Sequence, residues 1–362
     1  MNLKKQNVLM FEKTMNLGGS SKIVIQMCEA LKPKVNKIVV CSVGGLNTSA
    51  LDDLGIKHYN IPDISNLTFS NMFRTLSILN KVIKHENITI IHTHHRMAAF
   101  YTFILSFFKD FSFLASVHGE FYDKKIFTKM AYSRALVIPC GDMVKKNIID
   151  FFGVKKNIVV LRNAIRKDLS PVKEIPELQE YKKNNYKLIG YLGRLSKEKG
   201  VLYLIDSLKF FAEDEKIRYV IVGEGYMKDK MDQILARNHC ENKVIYLGYR
   251  NDPQNVIRQL DCVVLPSLTE GLPLTPMEAF AQGKPVIASA VGGNVELVRN
   301  GENGILISPR KSKEIAIAIR QLLFNRELYN SCVENAKIDY ETKFSIEVFN
   351  KDLEKIYEGL KE

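Results

Sequence analysis

No apolar run in the 362 residues approaches the roughly 18–20 needed to span a bilayer. Residues 1–12 have no apolar h-region and no small-residue cleavage site, so they are not read as a secretory signal. Cysteine is sparse: Cys28, Cys41, Cys140, Cys240, Cys262 and Cys332 lie far apart in apolar contexts, and none forms a C-x-x-C pair. That argues against a disulfide framework or a zinc site and predicts reduced, buried thiols in a cytosolic protein. Missing motifs narrow the chemistry further. A G-x-G-x-x-G turn is absent, which weakens a dinucleotide reading, and so is a G-x-x-x-x-G-K-[ST] phosphate loop. No D-x-D signals the divalent cation that supports diphosphate departure in some transferases, and no G-x-S-x-G elbow signals a hydrolase.

What is present fits an ordinary globular chain, 46% hydrophobic and 25% charged. Its length is more than one core usually serves and predicts two domains. Short β-branched runs alternate with helical patterns throughout. In the first half the pattern predicts strands over residues 7–11, 37–42, 88–92, 112–117 and 136–139, with helices such as 21–31 and 70–84 between them. In the second half it predicts strands over residues 187–192, 218–222, 243–246, 262–265 and 285–288. Such alternation makes βαβ units and parallel sheets. The expected fold is α/β: two Rossmann-like αβα domains facing across a cleft, residues 1–165 and 186–343. Residues 166–185, with Pro171, Pro176, Asn184 and Asn185 among dense charges, read as the linker. Ligands in such folds bind beyond the carboxyl ends of the strands, so motifs there come first.

Charge is divided unevenly. The overall balance is +12, and residues 1–165 hold 22 Lys/Arg against 11 Asp/Glu, a balance of +11. The remaining 30 and 29 leave +1 for residues 166–362. A compositional bias would affect both halves, so the basic half implies an anionic partner there.

The strongest motif spans residues 265–280. It leaves an apolar strand, passes through a Gly/Pro-rich loop holding Glu270, and enters a helix expected to begin at Pro276, with Glu278 in its first turn. Such a turn suits a phosphate. Taken singly, Glu278 also suits the helix dipole, and Glu270 a solvated loop.

Jointly, Glu270 and Glu278 resemble the E-x7-E motif of glycosyltransferase family 4, the large retaining family with the GT-B fold. Residues 190–200, including Gly193, Arg194, Lys199 and Gly200, look like its phosphate-binding strand and loop. Residues 221–225 are similar to its glycine turn near the nucleoside, and residues 282–288 and 291–296 continue the pattern. Residues 16–19, 117–120 and 161–164 match more loosely, so the resemblance covers nearly the whole chain.

The residue types suit the implied reaction. Expulsion of a diphosphate needs positive charge where negative charge develops, and Arg194 and Lys199 supply two cations. Each charge-assisted contact is worth roughly 1.5–3 kcal/mol. A surface ion network with Glu198 is the other use for such a cluster. Gly193 and Gly200 suggest a backbone that approaches its ligand closely. Gly18 and Gly19, after the first strand, would present N–H groups to the same diphosphate or merely allow a tight turn. By resemblance, Glu278 binds the ribose hydroxyls and Glu270 those of the transferred sugar. Gly271 and Leu272 then offer N–H groups to the donor, near Gly223. His118, at the end of a strand in a His-Gly-Glu context, falls where the family places an active-site histidine near the donor sugar. His92, His94 and His95 invite a metal reading, but no carboxylate or cysteine is near in sequence. His94 and Glu120 are instead candidates on the acceptor side.

The resemblance thus implies a retaining glycosyltransferase taking a nucleoside-diphosphate sugar, uridine favoured, and a glycan or lipid-linked acceptor in bacterial polysaccharide or glycolipid assembly. No cofactor, metal or nucleic acid is expected. Residues 344–362 are expected to form a helix packing back across the first domain. The expected location is the cytoplasmic face of the cell membrane, held peripherally by anionic lipid. Two other readings share the fold: a sugar-nucleotide epimerase, and a silent binding subunit. The E-x7-E pair and the basic first half speak against the epimerase, and the presence of both glutamates and both cations speaks against the silent subunit.

Overall fold

The computed structural model describes residues 2–16, 18–213 and 215–360. Leu17 of the 16–19 segment and the last two residues of the C-terminal stretch lie outside the described residues. The chain divides into two compact units, residues up to 163 together with 349 onward, and residues 164–348.

Each unit is built on a six-stranded parallel sheet. In the first, β1 (Asn7–Phe11), β2 (Lys37–Ser42), β3 (Lys57–Asn60), β4 (Ile90–Thr93), β5 (Ser112–Val117) and β6 (Leu136–Pro139) lie in the order β3-β2-β1-β4-β5-β6. In the second, β7 (Lys187–Leu192), β8 (Ile217–Val222), β9 (Val244–Gly248), β10 (Cys262–Leu265), β11 (Val286–Ser289) and β12 (Gly304–Ile307) lie in the order β12-β11-β10-β7-β8-β9. Counted from its own first strand, each sheet reads 3-2-1-4-5-6, the doubly wound order. The direction of strand addition reverses between β1 and β4 and between β7 and β10, and a crevice opens at the carboxyl ends there.

The central strands are short runs of Val, Ile and Leu because helices cover both faces of a parallel sheet. All five residues of β1 and all four of β10 are buried. The edge strands β3 and β12 have no such counterpart among the strands expected from sequence. β3 reads Lys-His-Tyr-Asn and is largely uncovered, so its pairing with β2 alone makes it a strand.

Pleating sends alternate residues to opposite faces. Leu9, Phe11, Val39, Cys41 and Ile91 meet Leu79, Val82 and Ile83 of the helix Phe69–His85, and Met97 and Tyr101 of the helix Arg96–Leu105. The other face meets the C-terminal helix Ile346–Glu358, where Tyr357 shares a 2.8 Å hydrogen bond with His92 Nδ1. Glu354 of that helix pairs with Lys34 at 2.7 Å.

Residues 166–185 lie along the second unit. The backbone N–H groups of Asp168, Lys173 and Ile175 donate to Gln254, Asn255 and Gln259, each at 2.9 Å, before the helix Pro176–Lys183 begins. None of the six cysteines is in a disulfide, and all are buried. Among the described residues no helix is long and apolar enough to cross a membrane.

Candidate active site

In the second unit, the loops that follow β7 and β10 meet at the switch point. Lys199 ends the first loop and Glu270 sits in the second. Lys199 Nζ donates to both carboxylate oxygens of Glu270, at 2.7 and 2.8 Å. Ser267 Oγ donates to Glu270 Oε1 at 2.7 Å. The Glu270 side chain is only 6% exposed and that of Lys199 36%, so the carboxylate is held inside while the ammonium reaches outward. A surface network of Lys199 with Glu198 is therefore not what forms. Glu198 instead fixes the neighbouring loop, its carbonyl accepting from Leu268 N at 2.7 Å.

The glycines also serve the packing of loops on one another. Gly200 has a positive φ of +67°, and a Cβ there would lie 1.9 Å from the Pro266 carbonyl oxygen. Gly292, at +46°, would place a Cβ 1.9 Å from the Glu270 carbonyl oxygen. These glycines let neighbouring loops press onto the loop that carries Glu270. A Cβ at Gly193 would meet the Tyr191 ring at ordinary contact distance.

Arg194 is exposed, and its place is set through the backbone, where Tyr191 Oη donates to its carbonyl at 2.7 Å. Gly223 follows β8, its N–H donating to Gly248 O at 2.8 Å and its carbonyl accepting from Tyr246 Oη at 3.1 Å. Gly271 is half-buried and Leu272 buried. The helix entered after them spans Leu274–Ala281, so it starts before Pro276, and buried Glu278 falls in its second turn instead of its first. Thr275 Oγ1 ties that helix to the end of β7 by a 3.3 Å bond to Leu192 O.

In the first unit, Gly18 precedes and Gly19 begins the helix Gly19–Leu31, and a Cβ at Gly18 would meet open space. His118, just past β5, shares a 3.2 Å hydrogen bond between its Nε2 and His94 Nδ1. His94 is also stacked on His92, with ring centroids 4.5 Å apart. His92 is satisfied at both nitrogens, by Tyr357 and by Ser116 Oγ at 2.8 Å, and is a structural residue. Burial holds all three imidazoles neutral: His92 is lowered to about 3, His118 to about 4, and His94 well below the usual range. His95 goes elsewhere, capping the helix Arg96–Leu105 by accepting from Met97 N at 3.1 Å. Glu120 accepts from Tyr122 Oη at 2.8 Å.

Two residues of these sites escaped the sequence reading. Ser267 lies three positions before Glu270, and that spacing was its only signal. Glu12, buried just past β1, has its carboxyl pushed up to about 8 by burial, opposed by backbone hydrogen bonds from Lys13 and Thr14. An isolated acidic residue after a strand gives no such sign.

Two family models account for most of the chain: "Glycosyltransferase Family 4" over residues 17–169 and "Glycosyl transferases group 1" over residues 174–339. The UDP-Gal:alpha-D-GlcNAc-diphosphoundecaprenol alpha-1,3-galactosyltransferase of Escherichia coli is 27% identical over 319 residues, 80% of this chain and 81% of its own. An uncharacterized glycosyltransferase of Methanocaldococcus jannaschii is 25% identical over 342 residues, 83% of this chain and 87% of its own. The crystal structure of Anabaena HepE in complex with UDP matches with a TM-score of 0.86 at 22% identity, over 98% of this chain and 100% of that one. That last likeness shows the fold, which is that of the GT-B glycosyltransferases.

Proposed function

The chain belongs to glycosyltransferase family 4 and is a glycosyltransferase, and on that premise we propose that it transfers a sugar from UDP with retention onto a glycan or lipid-linked acceptor. The observation that carries this reading is the Lys199–Glu270–Ser267 constellation, with its buried carboxylate, at the β7/β10 switch point. Two loops converge there to fix one carboxylate and one cation, where a doubly wound sheet binds its ligand.

The chemistry follows from the groups at hand. As the anomeric C–O bond breaks, its electron pair goes to the departing diphosphate, and Arg194 and Lys199 stabilise the charge that develops. An ammonium has three N–H donors, and Glu270 engages two, so one is left for a phosphate oxygen. Glu270 accepts from hydroxyls of the transferred sugar and Glu278 from those of the ribose. The acceptor hydroxyl attacks from the face the diphosphate leaves, and its proton passes to that diphosphate. No divalent cation enters this account. Uridine is favoured because the E. coli relative is named for UDP-Gal and HepE was solved with UDP. A panel of UDP-, GDP-, ADP- and dTDP-sugars read by thermal shift tests the donor, and NMR of the product's anomeric centre tests retention. Selective stabilisation by another base, or an inverted linkage, overturns the corresponding part.

We further propose that the first unit docks on an anionic membrane and receives a lipid-linked acceptor, as the E. coli relative's name describes for its own acceptor. In the helix Lys125–Tyr132, Thr128, Ala131 and Tyr132 are buried. Lys124, Lys125, Ile126, Lys129 and Met130 are exposed. In the helix Arg96–Leu105, most apolar residues are buried, but the following Phe107 and Phe108 are 59% and 77% exposed. Cations beside large exposed apolar groups are the composition of an interfacial surface.

A further inference from the structure

The first unit leaves large apolar side chains uncovered where the helix Phe69–His85 begins. Phe69 is 88% and Phe73 70% exposed, and Leu67 lies exposed just before them. Four residues separate the two rings, so they share a side of the helix, while Thr75, Leu79, Val82 and Ile83 are buried on the other. The tip is held by its own turn. Asn71 Nδ2 donates to Asp63 O at 2.9 Å and to Asn66 O at 2.8 Å, and Asn66 Oδ1 accepts from Thr68 N at 3.1 Å. A braced turn presents its rings with little further loss of chain entropy on binding.

Charge decides what such a tip meets. The helix Phe69–His85 has no acidic residue, and its Arg74, Lys81 and Lys84 are exposed. The helix Lys125–Tyr132 repeats that composition, with Lys125 and Lys129 beside exposed Ile126 and Met130. The two belong to one layer. The helix Arg96–Leu105 packs between them, with the Phe100 and Phe127 ring centroids 4.5 Å apart, and the inner sides of all three cover the same face of the sheet. Their outer sides therefore face one way. The middle helix carries no charge after Arg96 and leaves Phe103 and Ile104 half-buried. Asp63 and Asp123, the acidic residues nearest the start of the two outer helices, are engaged. Asp63 Oδ1 accepts from Ser65 N at 2.9 Å, and Asp123 pairs with Arg96 at 2.7 Å. A second copy of the chain would bring its own cations against this layer, whereas an anionic bilayer offers both counter-charge and hydrocarbon.

We propose that the first turn of the helix Phe69–His85 is a membrane-inserting tip: Leu67, Phe69 and Phe73 enter the acyl region of an anionic bilayer while the exposed cations of that helix meet its phosphates. The inference deepens the docking reading, on which it rests, by adding an apolar anchor to a charge-driven contact. Attraction between charges brings the unit to the surface, and the rings in hydrocarbon hold it with an energy that salt does not screen.

The sequence contains no tryptophan, so Phe69→Trp, Phe73→Trp and, in the second unit, Phe324→Trp each place a single reporter at an exposed site. The full-length variants are mixed with vesicles of phosphatidylglycerol and phosphatidylethanolamine. Emission from positions 69 and 73 should shift to the blue on binding and be quenched by lipids brominated along their acyl chains. Emission from position 324 should change in neither respect. Phe69→Ser combined with Phe73→Ser should weaken partitioning into these vesicles about tenfold or more, since both rings lose their transfer to hydrocarbon. Thermal melts monitor folding of each variant. Water-like emission at 69 and 73 in protein that sediments with vesicles overturns the insertion and leaves docking through the helix Lys125–Tyr132 intact. A shift at 324 as large as at 69 and 73 overturns it too, as does unchanged partitioning of the double Ser variant. If changing Lys124, Lys125 and Lys129 to Glu abolishes neither binding nor the blue shift, docking through that second helix fails and the tip at Phe69 stands.

Discussion

Buried Glu12 gives the fold a pH dependence of stability. Its folded carboxyl titrates near 8, far above the roughly 4.3 of an unfolded glutamate. The unfolded chain therefore loses its proton first, and stability falls as pH rises from about 4 to about 8 before levelling off. Glu12→Gln removes this dependence. The variant should match the wild type near pH 4 and exceed it by about 3–5 kcal/mol at pH 8, because each tenfold difference in acidity between the folded and unfolded carboxyl is worth about 1.36 kcal/mol. Urea melts across that range check it, and an advantage that fails to grow with pH would mean the carboxyl is not buried neutral. The two cations of the second unit should also separate. Arg194→Ala and Glu278→Ala should each reduce kcat/KM roughly a hundredfold, the loss of one strong charged contact in the transition state. Arg194 is exposed and should leave the thermal midpoint nearly unchanged. Lys199→Ala strands a buried carboxylate and should also cost about 1–3 kcal/mol of stability. Steady-state kinetics with parallel melts read both quantities.

At the scale of single elements, the helix Lys125–Tyr132 carries the docking prediction. Basic residues near an anionic surface contribute about 1 kcal/mol each, so Lys124, Lys125 and Lys129 together outweigh modest orientational costs. Co-sedimentation with anionic liposomes should fall with salt and nearly vanish when all three become Glu, while neutral liposomes bind weakly throughout. Binding indifferent to lipid charge would defeat docking through this helix. The elements also show what the sequence made legible. β1, β2, β5, β6, β7 and β10 coincide with their expected spans, because buried parallel strands are bounded apolar runs. The helix holding Glu278 starts earlier than expected, since Pro276 is tolerated inside a first turn whose N–H groups need no partner. The edge strand β3 and the pairing of Lys199 with Glu270 were hidden for one reason. Both are made by contacts with distant segments, 71 residues apart in the case of the ion pair, and leave no local pattern. Glu12 was hidden likewise, its burial decided by neighbouring strands.

For the whole molecule, the sequence's two halves differ in charge but share one sheet order, so the asymmetry belongs to surfaces, not to architecture. Activity in the proposed reaction should survive excess EDTA, because that reaction draws its positive charge from Arg194 and Lys199; loss on chelation with rescue by magnesium would refute that role. The division of the chain also sets an order of biosynthesis. The first unit needs residues from 349 onward, and through Tyr357 and Glu354 these hold His92 and Lys34. Those residues leave the ribosome only after all of residues 164–348. The second unit can therefore complete its core while the first still exposes the face beneath that helix. A chain truncated before residue 349 would keep a complete second unit and leave the first unit's sheet open and protease-sensitive.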